Sequence, residues 1–329
     1  MEVLRVAKAT NSRLITIVAL LTFATFGSVS AAPQVRLSIA TGPPGSPDLQ
    51  IGRALAGVIS RNIPNVQATA EVTEGHPENI RLIGTKHADL AFIGAVLAAD
   101  AFLGEGELKD NPLPVRTLTP IIDLYIHLVT IEGIGITTIE DMRGRRVSVG
   151  PSGSPLERNA LRILKAAGID HERDIRKEGL GLVESVAALR DKRIEALFTF
   201  GPLPIPAVLD LATTPGIRIK LVPLDAVLPS LQKEFGKRYI NVTIRKEFYP
   251  GLTADVPTVG PPYQLLAHRD FNADLAYHVT KLIYEKRHEL AQEFRPAQYI
   301  TLIGIAGRAP IPFHPGAHRY FKERGIEGF

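Results

Sequence analysis

The sequence predicts an α/β protein of two lobes that face each other across a cleft. Strand and helix patterns alternate along most of the chain, as in proteins built on parallel sheets. Two strand-turn-helix units of the same construction lie about a hundred residues apart, and two extended apolar runs have the length of crossings between lobes. We therefore expect each unit to belong to one lobe and the two helix starts to face a shared cleft.

The first unit begins with residues 35–40, in which apolar and polar residues alternate as in a half-buried strand. A turn rich in glycine and proline follows, and residues 48–61 have the pattern of an amphipathic helix. Ser46 is predicted to cap this helix, with Pro47 at its first position and Asp48 in its first turn. An acid there stabilises the helix dipole, which is the structural alternative to a binding role for Asp48.

The second unit has the same construction. Residues 146–149 are predicted to form a strand and residues 156–167 a helix, joined by the turn Gly-Pro-Ser-Gly-Ser-Pro. Ser154 is the predicted N-cap and Pro155 the first helical residue. The free amide groups and the positive end of the helix dipole suit an anion, although an ordinary cap without a ligand is the alternative.

The remaining elements continue the alternation and define the expected lobes. Strands are predicted over residues 67–72, 90–93, 196–199 and 217–222, and helices ending near Ile83 and Ala212 and over residues 182–190 and 272–294. We interpret the extended runs 118–130 and 259–267 as the crossings between lobes. The expected first lobe is 33–130 with 255–329, and the expected second lobe is 131–254.

The first 32 residues have the features of a secretory signal peptide. Arg5, Lys8 and Arg13 form a basic leader, residues 14–26 are apolar, and small residues precede a cleavage site at Ala31 or Ala32. The apolar run is shorter than the roughly 20 residues of a membrane span. We therefore expect a periplasmic protein, with an uncleaved membrane anchor as the alternative.

Composition excludes several function classes. Removal of the 32-residue leader from the 329-residue chain leaves 297 residues, enough for two lobes of ordinary size. The leader contributes much of the formal charge of +4, so the rest of the chain carries about +2 and has no basic stripe for nucleic acid. The chain contains no cysteine, so thiol chemistry and disulfides are excluded.

An ordered set of short motifs resembles one family along nearly all of the mature chain. The motifs are Thr41-Gly42 with Gly45 and Gly52, Thr73-x-Gly75-x-x-Glu78-Asn79, Ala88-Asp89-Leu90-Ala91, Gly144-x-x-Val147-Ser148-Val149-Gly150-x-x-Gly153-Ser154, Gly201-x-Leu203-Pro204, and His314-Pro315-Gly316-Ala317 with Tyr320, Glu323 and Gly325. In this order and spacing the chain resembles the periplasmic substrate-binding proteins of the TAXI family. These are the receptor subunits of one branch of TRAP transporters.

The resemblance implies a two-lobe periplasmic binding protein of type II-like fold, with the ligand held in the cleft between lobes joined by extended crossovers. It implies hinge closure on a small solute, expected to carry a carboxylate, followed by docking on TRAP membrane subunits. No chemistry, cofactor, metal or nucleic acid is expected, and we expect a monomer.

The chain departs from the family pattern where ligand contacts are expected. Asp48-Leu49 stands in place of a tyrosine pair, His76 in place of a serine, and Gly94 in place of a glutamine. Pro155-Leu156-Glu157 replaces Gly-Thr-Arg after the central Gly-Ser. The glutamate and simple dicarboxylates associated with the family are therefore not carried over to this chain.

The candidate ligand contacts combine both units with the family motifs. They are Gly42, Pro44, Gly45, Asp48, His76, Asn79, Gly94, Ser152, Gly153, Ser154 and Gly201. The serines and Gly153 would offer hydroxyl and amide groups to a carboxylate, and Asn79 and His76 would face them from the first lobe. Asp48 would accept an ammonium group, and the glycines of the first turn would allow close approach of the backbone.

Three alternatives stay open at this stage. Ser152 lies in a turn that nearly spells a nucleophile elbow, so a periplasmic serine hydrolase is possible, although the final glycine of that motif is missing. A ligand-binding partner of a membrane sensor kinase would use the same fold. His314 and His318 have the spacing of a metal pair, but Pro315 favours a helix cap at His314.

Overall fold

The computed structural model describes residues 34–329, so the expected signal peptide over residues 1–32 lies outside the described residues. Within this range the strands are β1 (Val35–Ala40), β2 (Val66–Glu71), β3 (Leu90–Gly94), β4 (Val115–Asp123), β5 (Tyr125–Ile131), β6 (Arg146–Ser148), β7 (Arg176–Glu178), β8 (Ala196–Gly201), β9 (Ile219–Leu221), β10 (Ile240–Ile244), β11 (Val256–Gly260) and β12 (Pro262–His268). The α-helices are α1 (Pro47–Asn62), α2 (His76–Gly84), α3 (Ala95–Leu103), α4 (Pro155–Ala166), α5 (Leu182–Arg190), α6 (Pro206–Ala212), α7 (Leu228–Phe235), α8 (Ala273–Glu285), α9 (Arg287–Glu293) and α10 (Pro315–Glu323). Among these helices, none has the length and apolar character needed to cross a bilayer.

The first sheet has the strand order β2-β1-β3-β12-β4. Strand β1 pairs parallel with β2 and β3, and β12 pairs antiparallel with β3 and β4. Both faces of this sheet are covered, since alternate residues of one strand lie in different apolar clusters. Phe92 belongs to one cluster and Ala91 to the other. Burial on both faces explains the continuous apolar run that ends at Gly94.

The second sheet has the order β7-β6-β8-β5-β9, and an antiparallel ribbon of β10 and β11 packs beside it. Strand β6 pairs parallel with β7 and β8, whereas β5 pairs antiparallel with β8 and β9. Here too the strands are covered on both faces, with Leu128 and Phe198 in one cluster and Val129 and Leu197 in the other. The second lobe therefore has its own core.

Two short crossings join the lobes side by side. Leu124 leads from β4 to β5, Pro261 leads from β11 to β12, and the Leu124 amide donates to the Pro261 carbonyl at 3.2 Å. A Cβ atom added at Gly260 would lie 1.7 Å from the Leu124 oxygen, so only glycine permits this approach. The fold is the predicted α/β two-lobe architecture of periplasmic binding proteins.

The crossings are shorter than the sequence analysis expected. Residues 125–130, assigned there to the first lobe, pair in the second sheet as part of β5, and residues 256–260 pair with β10. Each long apolar run is in fact two buried strands of different sheets, and hydropathy does not change where the chain passes from one to the other. We therefore propose Leu124 and Pro261 as the limits of the lobes.

Two local predictions also change. The helix expected over residues 272–294 is divided into α8 and α9, because Lys286 leaves helical geometry at φ −107° and ψ 20°. His314 caps α10, accepting a hydrogen bond from the Gly316 amide on Nδ1 at 3.2 Å. The capping interpretation of His314 is thus confirmed.

Candidate functional site

A cavity of about 160 Å³ lies between the lobes and against both crossings. The first lobe contributes residues from the start of α2, the end of β3, α3 and the turn after it. The second lobe contributes the first turn of α4 and the end of β8. The lining residues are His76, Pro77, Gly94, Val96, Leu97, Glu107, Leu124, Pro155, Arg158, Asn159, Phe200 and Pro261.

Helix α4 contacts the cavity with the face of its first turn. Ser154 caps the helix as predicted, accepting a hydrogen bond from the Glu157 amide at 3.1 Å. The Gly153 amide donates to the Glu157 carboxylate at 2.7 Å, so the chain's own acid takes the place predicted for a ligand anion. Ser152, Gly153 and Ser154 accordingly do not line the cavity, which corrects the prediction for these three residues.

Arg158 brings a positive charge to the cavity from the same helix. Its Nη2 atom lies 3.2 Å from Oε1 of Glu107, a residue of the first lobe. The Glu107 side chain is 69% exposed and that of Arg158 is 34% exposed. Because an exposed ion pair contributes little to stability, a ligand carboxylate can replace Glu107 on Arg158 at small cost.

Asn159 is the buried polar neighbour of Arg158. Its Oδ1 atom accepts a hydrogen bond from the Tyr239 hydroxyl at 2.6 Å, and Tyr239 is fully buried. Burial raises the pKa of Tyr239, which keeps this hydroxyl a donor. The bond uses one lone pair of Oδ1 and turns this end of the Asn159 amide toward Tyr239, so Nδ2 is the donor that Asn159 can offer to a ligand.

His76 faces the cavity from the start of α2. Its Nε2 atom lies 3.1 Å from Oδ2 of Asp48, in the first turn of α1. Since a carboxylate only accepts, Nε2 carries the proton in this bond. Asp48 itself does not line the cavity, so its predicted contact with an ammonium group is replaced by the contact with His76.

Tyr263 stands behind His76, and sequence reasoning missed it. Its ring centroid lies 5.4 Å from that of His76 and 5.8 Å from that of Phe92, on which it stacks. The side chain is 4% exposed, and its hydroxyl has no hydrogen-bond partner in the described part of the chain. Burial, together with the nearby Asp48 charge, raises the pKa of this hydroxyl well above its ordinary value, so it remains protonated.

Asn79 has a structural role instead of the predicted ligand contact. It is fully buried, its Nδ2 donates to the Thr41 carbonyl at 2.5 Å, and its Oδ1 accepts from the Thr73 hydroxyl at 2.7 Å. These bonds tie the end of β1 to the loop that precedes α2. Asn79 therefore positions the turn from which His76 reaches the cavity.

Gly94 is the predicted glycine that does line the cavity. It pairs with Tyr263 across the sheet, and a Cβ atom added there would meet only Nδ1 of His76, at 3.9 Å. The missing side chain thus leaves room beside His76.

The other predicted glycines and the proline lie away from the cavity. Gly42 packs against Ser46, since an added Cβ would lie 2.8 Å from the Ser46 hydroxyl, and Gly45 needs its φ of +85° for the turn. Pro44 is exposed in that turn. Gly201 pairs with Tyr125 and follows Phe200, which is the lining residue of that strand.

A second contact between the lobes is buried beside the cavity. Asp100 of α3 accepts hydrogen bonds from Arg238 at 3.1 Å (Nε) and 2.9 Å (Nη2), and the two side chains are 5% and 7% exposed. Arg238 also donates to Glu105 and to the Phe235 carbonyl. Arg162 of α4 approaches Asp100 at 3.9 Å and stacks over Phe235. We call Asp100, Arg162 and Arg238 the interlobe latch.

The serine hydrolase alternative finds no support in this geometry. Ser152 is exposed, and no hydrogen bond within residues 34–329 joins it to a histidine. The buried His127 is engaged elsewhere, with Nε2 3.0 Å from the Tyr249 hydroxyl and Nδ1 2.9 Å from the Tyr125 carbonyl.

A model of the NMT1-like family matches residues 39–325, which is most of the chain. The chain belongs to the NMT1-like family. The match spans both sheets and the crossings, so the family assignment covers the whole site of this NMT1-like protein.

Solved structures similar to this chain include three bacterial binding proteins. The periplasmic sulfonate-binding protein SsuA of a putative sulfonate ABC transporter from Methylobacillus flagellatus KT is 12% identical, with 91% of this chain and 97% of that chain covered and a TM-score of 0.52. The aliphatic sulphonate binding protein SsuA from Escherichia coli is 14% identical, with 90% and 94% covered and a TM-score of 0.48. The L-cystine solute receptor of Neisseria gonorrhoeae is 14% identical, with 82% and 96% covered and a TM-score of 0.42.

At these identities the likeness concerns the fold. The NMT1-like chain therefore has the two-lobe α/β architecture of the Methylobacillus protein.

Proposed function

We propose that this NMT1-like protein is a periplasmic solute-binding receptor. It captures a small organic anion or an amino-acid-like solute between its lobes and delivers it to a TRAP-type membrane permease. The observation that carries the proposal is a cavity lined by both lobes and by both crossings. Such a site is complete only when the lobes are together, so solute binding favours the closed arrangement.

The chemistry of the cavity wall supports capture without reaction. Most of the lining is apolar, with a few polar side chains that converge on it, which is typical of small-molecule binding sites. Arg158 and Asn159 supply donors from one lobe and His76 faces them from the other. These groups suit recognition of an anionic group, and no nucleophile stands among them.

The partner and the compartment rest on the sequence motifs. The signal peptide features over residues 1–32 favour export, with the mature chain beginning near Ala32 or Pro33. The TAXI resemblance favours a TRAP permease, whereas an ABC-type permease is the alternative suggested by the name of the Methylobacillus protein. A gene for an ATP-binding transporter subunit beside this one would contradict the TRAP proposal, and a sensor kinase there would favour a signalling role.

Thermal unfolding of the mature protein with a panel of organic acids and amino acids tests capture. A solute at a hundredfold excess over its dissociation constant adds about 2.7 kcal/mol to the free energy of unfolding, and we expect one class in the panel to do so. Small-angle scattering should show compaction with the same solute. If no member of the panel raises the melting temperature or compacts the protein, the receptor proposal is wrong.

A matched pair of variants ties the effect to this cavity. Gly94 and Gly181 both precede a helix with similar backbone angles, φ −67° and ψ 144° against φ −63° and ψ 160°, and neither is crowded at Cβ. Gly94→Leu should fill the cavity and abolish the solute effect. Gly181→Leu, away from the cavity, should preserve it.

A further inference from the structure

Most of the cavity lining is apolar and includes both crossings. The first lobe contributes Val96 and Leu97 of α3, the second lobe contributes Phe200 of β8, and the crossings contribute Leu124 and Pro261. With Pro77, Gly94 and Pro155, eight of the twelve lining residues carry no polar side-chain group. A solute held here buries an apolar body, and each buried methylene group strengthens binding about fourfold.

The second lobe offers mainly donors to this space. Arg158 carries a permanent positive charge, and the Oδ1 atom of Asn159 is turned toward the Tyr239 hydroxyl, which leaves Nδ2 as the group best placed for a solute. The two residues are adjacent at the end of the first turn of α4, where the helix dipole also favours a negative charge. One anionic group is therefore matched by a charged and a neutral donor.

The first lobe offers only weak partners to a second charged group. Asp48 is committed to His76 and does not line the cavity, so the acid left for a solute ammonium is Glu107, which is 69% exposed and already paired with Arg158. A second carboxylate would meet His76 with the negative charge of Asp48 directly behind it. Burying a charge against a weak partner is unfavourable, so both kinds of solute are penalised.

We infer that the interlobe cavity selects monocarboxylates with an apolar body and discriminates against α-amino acids and dicarboxylates of the same size. The carboxylate lies on Arg158 and Asn159, and the apolar body lies against Val96, Leu97 and Phe200. This inference rests on the proposed function and names its substrate class.

Isothermal titration of the mature protein with a set of matched solutes tests the inference. The set contains 4-methylpentanoate, its neutral amide, leucine and glutarate, with straight-chain alkanoates of four to eight carbons and phenylacetate as further monocarboxylates, the range set by the small cavity. We expect the best monocarboxylate to bind at least about tenfold more tightly than the amide, leucine or glutarate, as in sites where a buried polar group is left unpaired. Mass spectrometry of solutes that co-purify with the protein adds an unbiased readout.

Variants of Arg158 and Phe200 separate the contribution of the charged contact from that of the apolar contact. Arg158→Gln should weaken monocarboxylates by at least about tenfold and leave the neutral amide unchanged, because only the charged contact is lost. Arg190→Gln is the matched control, since Arg190 is also paired with an acid at 3.2 Å but is exposed on α5. Phe200→Ala should weaken the monocarboxylate and its amide alike.

The possible results distinguish failure of the selectivity inference from failure of the receptor proposal on which it rests. Tight binding of leucine or glutarate, or of an amino acid found by mass spectrometry, would overturn the inference and leave the receptor proposal intact. Tight binding of a monocarboxylate that is unaffected by Arg158→Gln would also overturn it. If no tested solute binds and none co-purifies, both the inference and the receptor proposal are wrong.

Discussion

Two ion pairs span the cleft close to each other, and they differ in burial and in the number of hydrogen bonds that join them. Asp100 and Arg238 are both nearly buried and joined by two hydrogen bonds, whereas Glu107 and Arg158 meet through one contact and Glu107 is largely exposed. Both acids lie in or just after α3, and both arginines belong to the second lobe. The difference in burial separates a contact that holds the lobes from a contact that a solute can replace.

The latch also shows how a buried charge is made tolerable. Arg238 donates to Asp100, to Glu105 and to the Phe235 carbonyl, so most of its guanidinium is satisfied. Arg162 is less well satisfied, because its Nη1 atom is buried with no hydrogen-bond partner in the described part of the chain. A charge buried in this way destabilises the protein strongly when its partner is removed.

The largest predicted effect comes from breaking the latch. Arg238→Met leaves Asp100 without its main partner, which should disfavour the closed arrangement by about 3 to 5 kcal/mol. Because Asp100 regains water when the lobes part, we expect a larger radius of gyration in small-angle scattering, together with a lower melting temperature. The double variant Asp100→Leu, Arg238→Met should recover only part of the loss, because Arg162 then loses Asp100, and adding Arg162→Met should recover most of it. If Arg238→Met lowered the free energy of unfolding no more than Glu107→Gln does, the distinction between the two pairs would be wrong.

A second prediction concerns a buried titratable group confined to the second lobe. Burial lowers the pKa of His127 to about 4 from 6.5, against the weaker opposing effect of its bond to the Tyr125 carbonyl. The unfolded chain therefore binds the extra proton first, so stability falls as the pH drops from about 6.5 and the loss is complete below about 4. The full loss is roughly 3 kcal/mol.

Urea unfolding across this pH range measures the effect of His127. His127→Gln should flatten the curve relative to the unchanged protein, and the difference between the two curves isolates this residue from other groups. Asp100→Leu, Arg238→Met should leave the His127 contribution unchanged, because the latch is separate from this buried network. Identical pH dependence with and without His127 would show that its burial is not linked to folding.

A third, smaller effect is expected from a polar group buried within the first lobe. Asn79→Ala removes two buried hydrogen bonds, to the Thr41 carbonyl and from the Thr73 hydroxyl, which keep their 3.1 Å bond to each other. Since each lost bond contributes about 0.5 to 1.5 kcal/mol, the loss in unfolding free energy should be about 1 to 3 kcal/mol. The lobes should stay together, because no partner of Asn79 lies in the second lobe. Asn241→Ala, at an exposed position on β10, is the control and should change stability by less than about 0.5 kcal/mol.

The smallest effect is expected from the exposed pair. Glu107→Gln should change the free energy of unfolding by less than about 1 kcal/mol, and high salt should remove even that. Since Glu107 no longer competes for Arg158, the affinity for a carboxylate solute should stay the same or rise. A large loss of stability here would mean that the exposed pair also holds the lobes together.

The sequence analysis predicted ligand contacts on both lobes, and two of those residues line the cavity. These are His76 and Gly94, and Asp48 lies one contact behind His76. Ser152, Gly153 and Ser154 were expected at an anion, but Glu157, three residues beyond the cap, takes that position. The acid at position 157 was visible in the sequence, and its spacing from Ser154 is that of a capping box.

The sequence analysis missed four residues at or next to the cavity, for two different reasons. Arg158 and Asn159 lie one turn into a helix whose start had been identified, but which face of α4 meets the other lobe depends on how the lobes are set. Phe200 and Tyr263 lie near the ends of strands whose apolar pattern predicts that their side chains are buried. That pattern does not distinguish an aromatic residue packed in the core from one that lies at a cavity.

Local patterns of residues are enough to predict the alternation of strands and helices and the caps at Ser46 and Ser154. These features depend on residues within one or two turns of each other, where periodicity and capping act. The folded chain is needed to define the short crossings at Leu124 and Pro261, the lining of the cavity and the pairing of Asp100 with Arg238, which are 138 residues apart. Such contacts exist only once two separately packed cores are brought together, because their strength comes from the exclusion of water between lobes and not from any local preference of the chain.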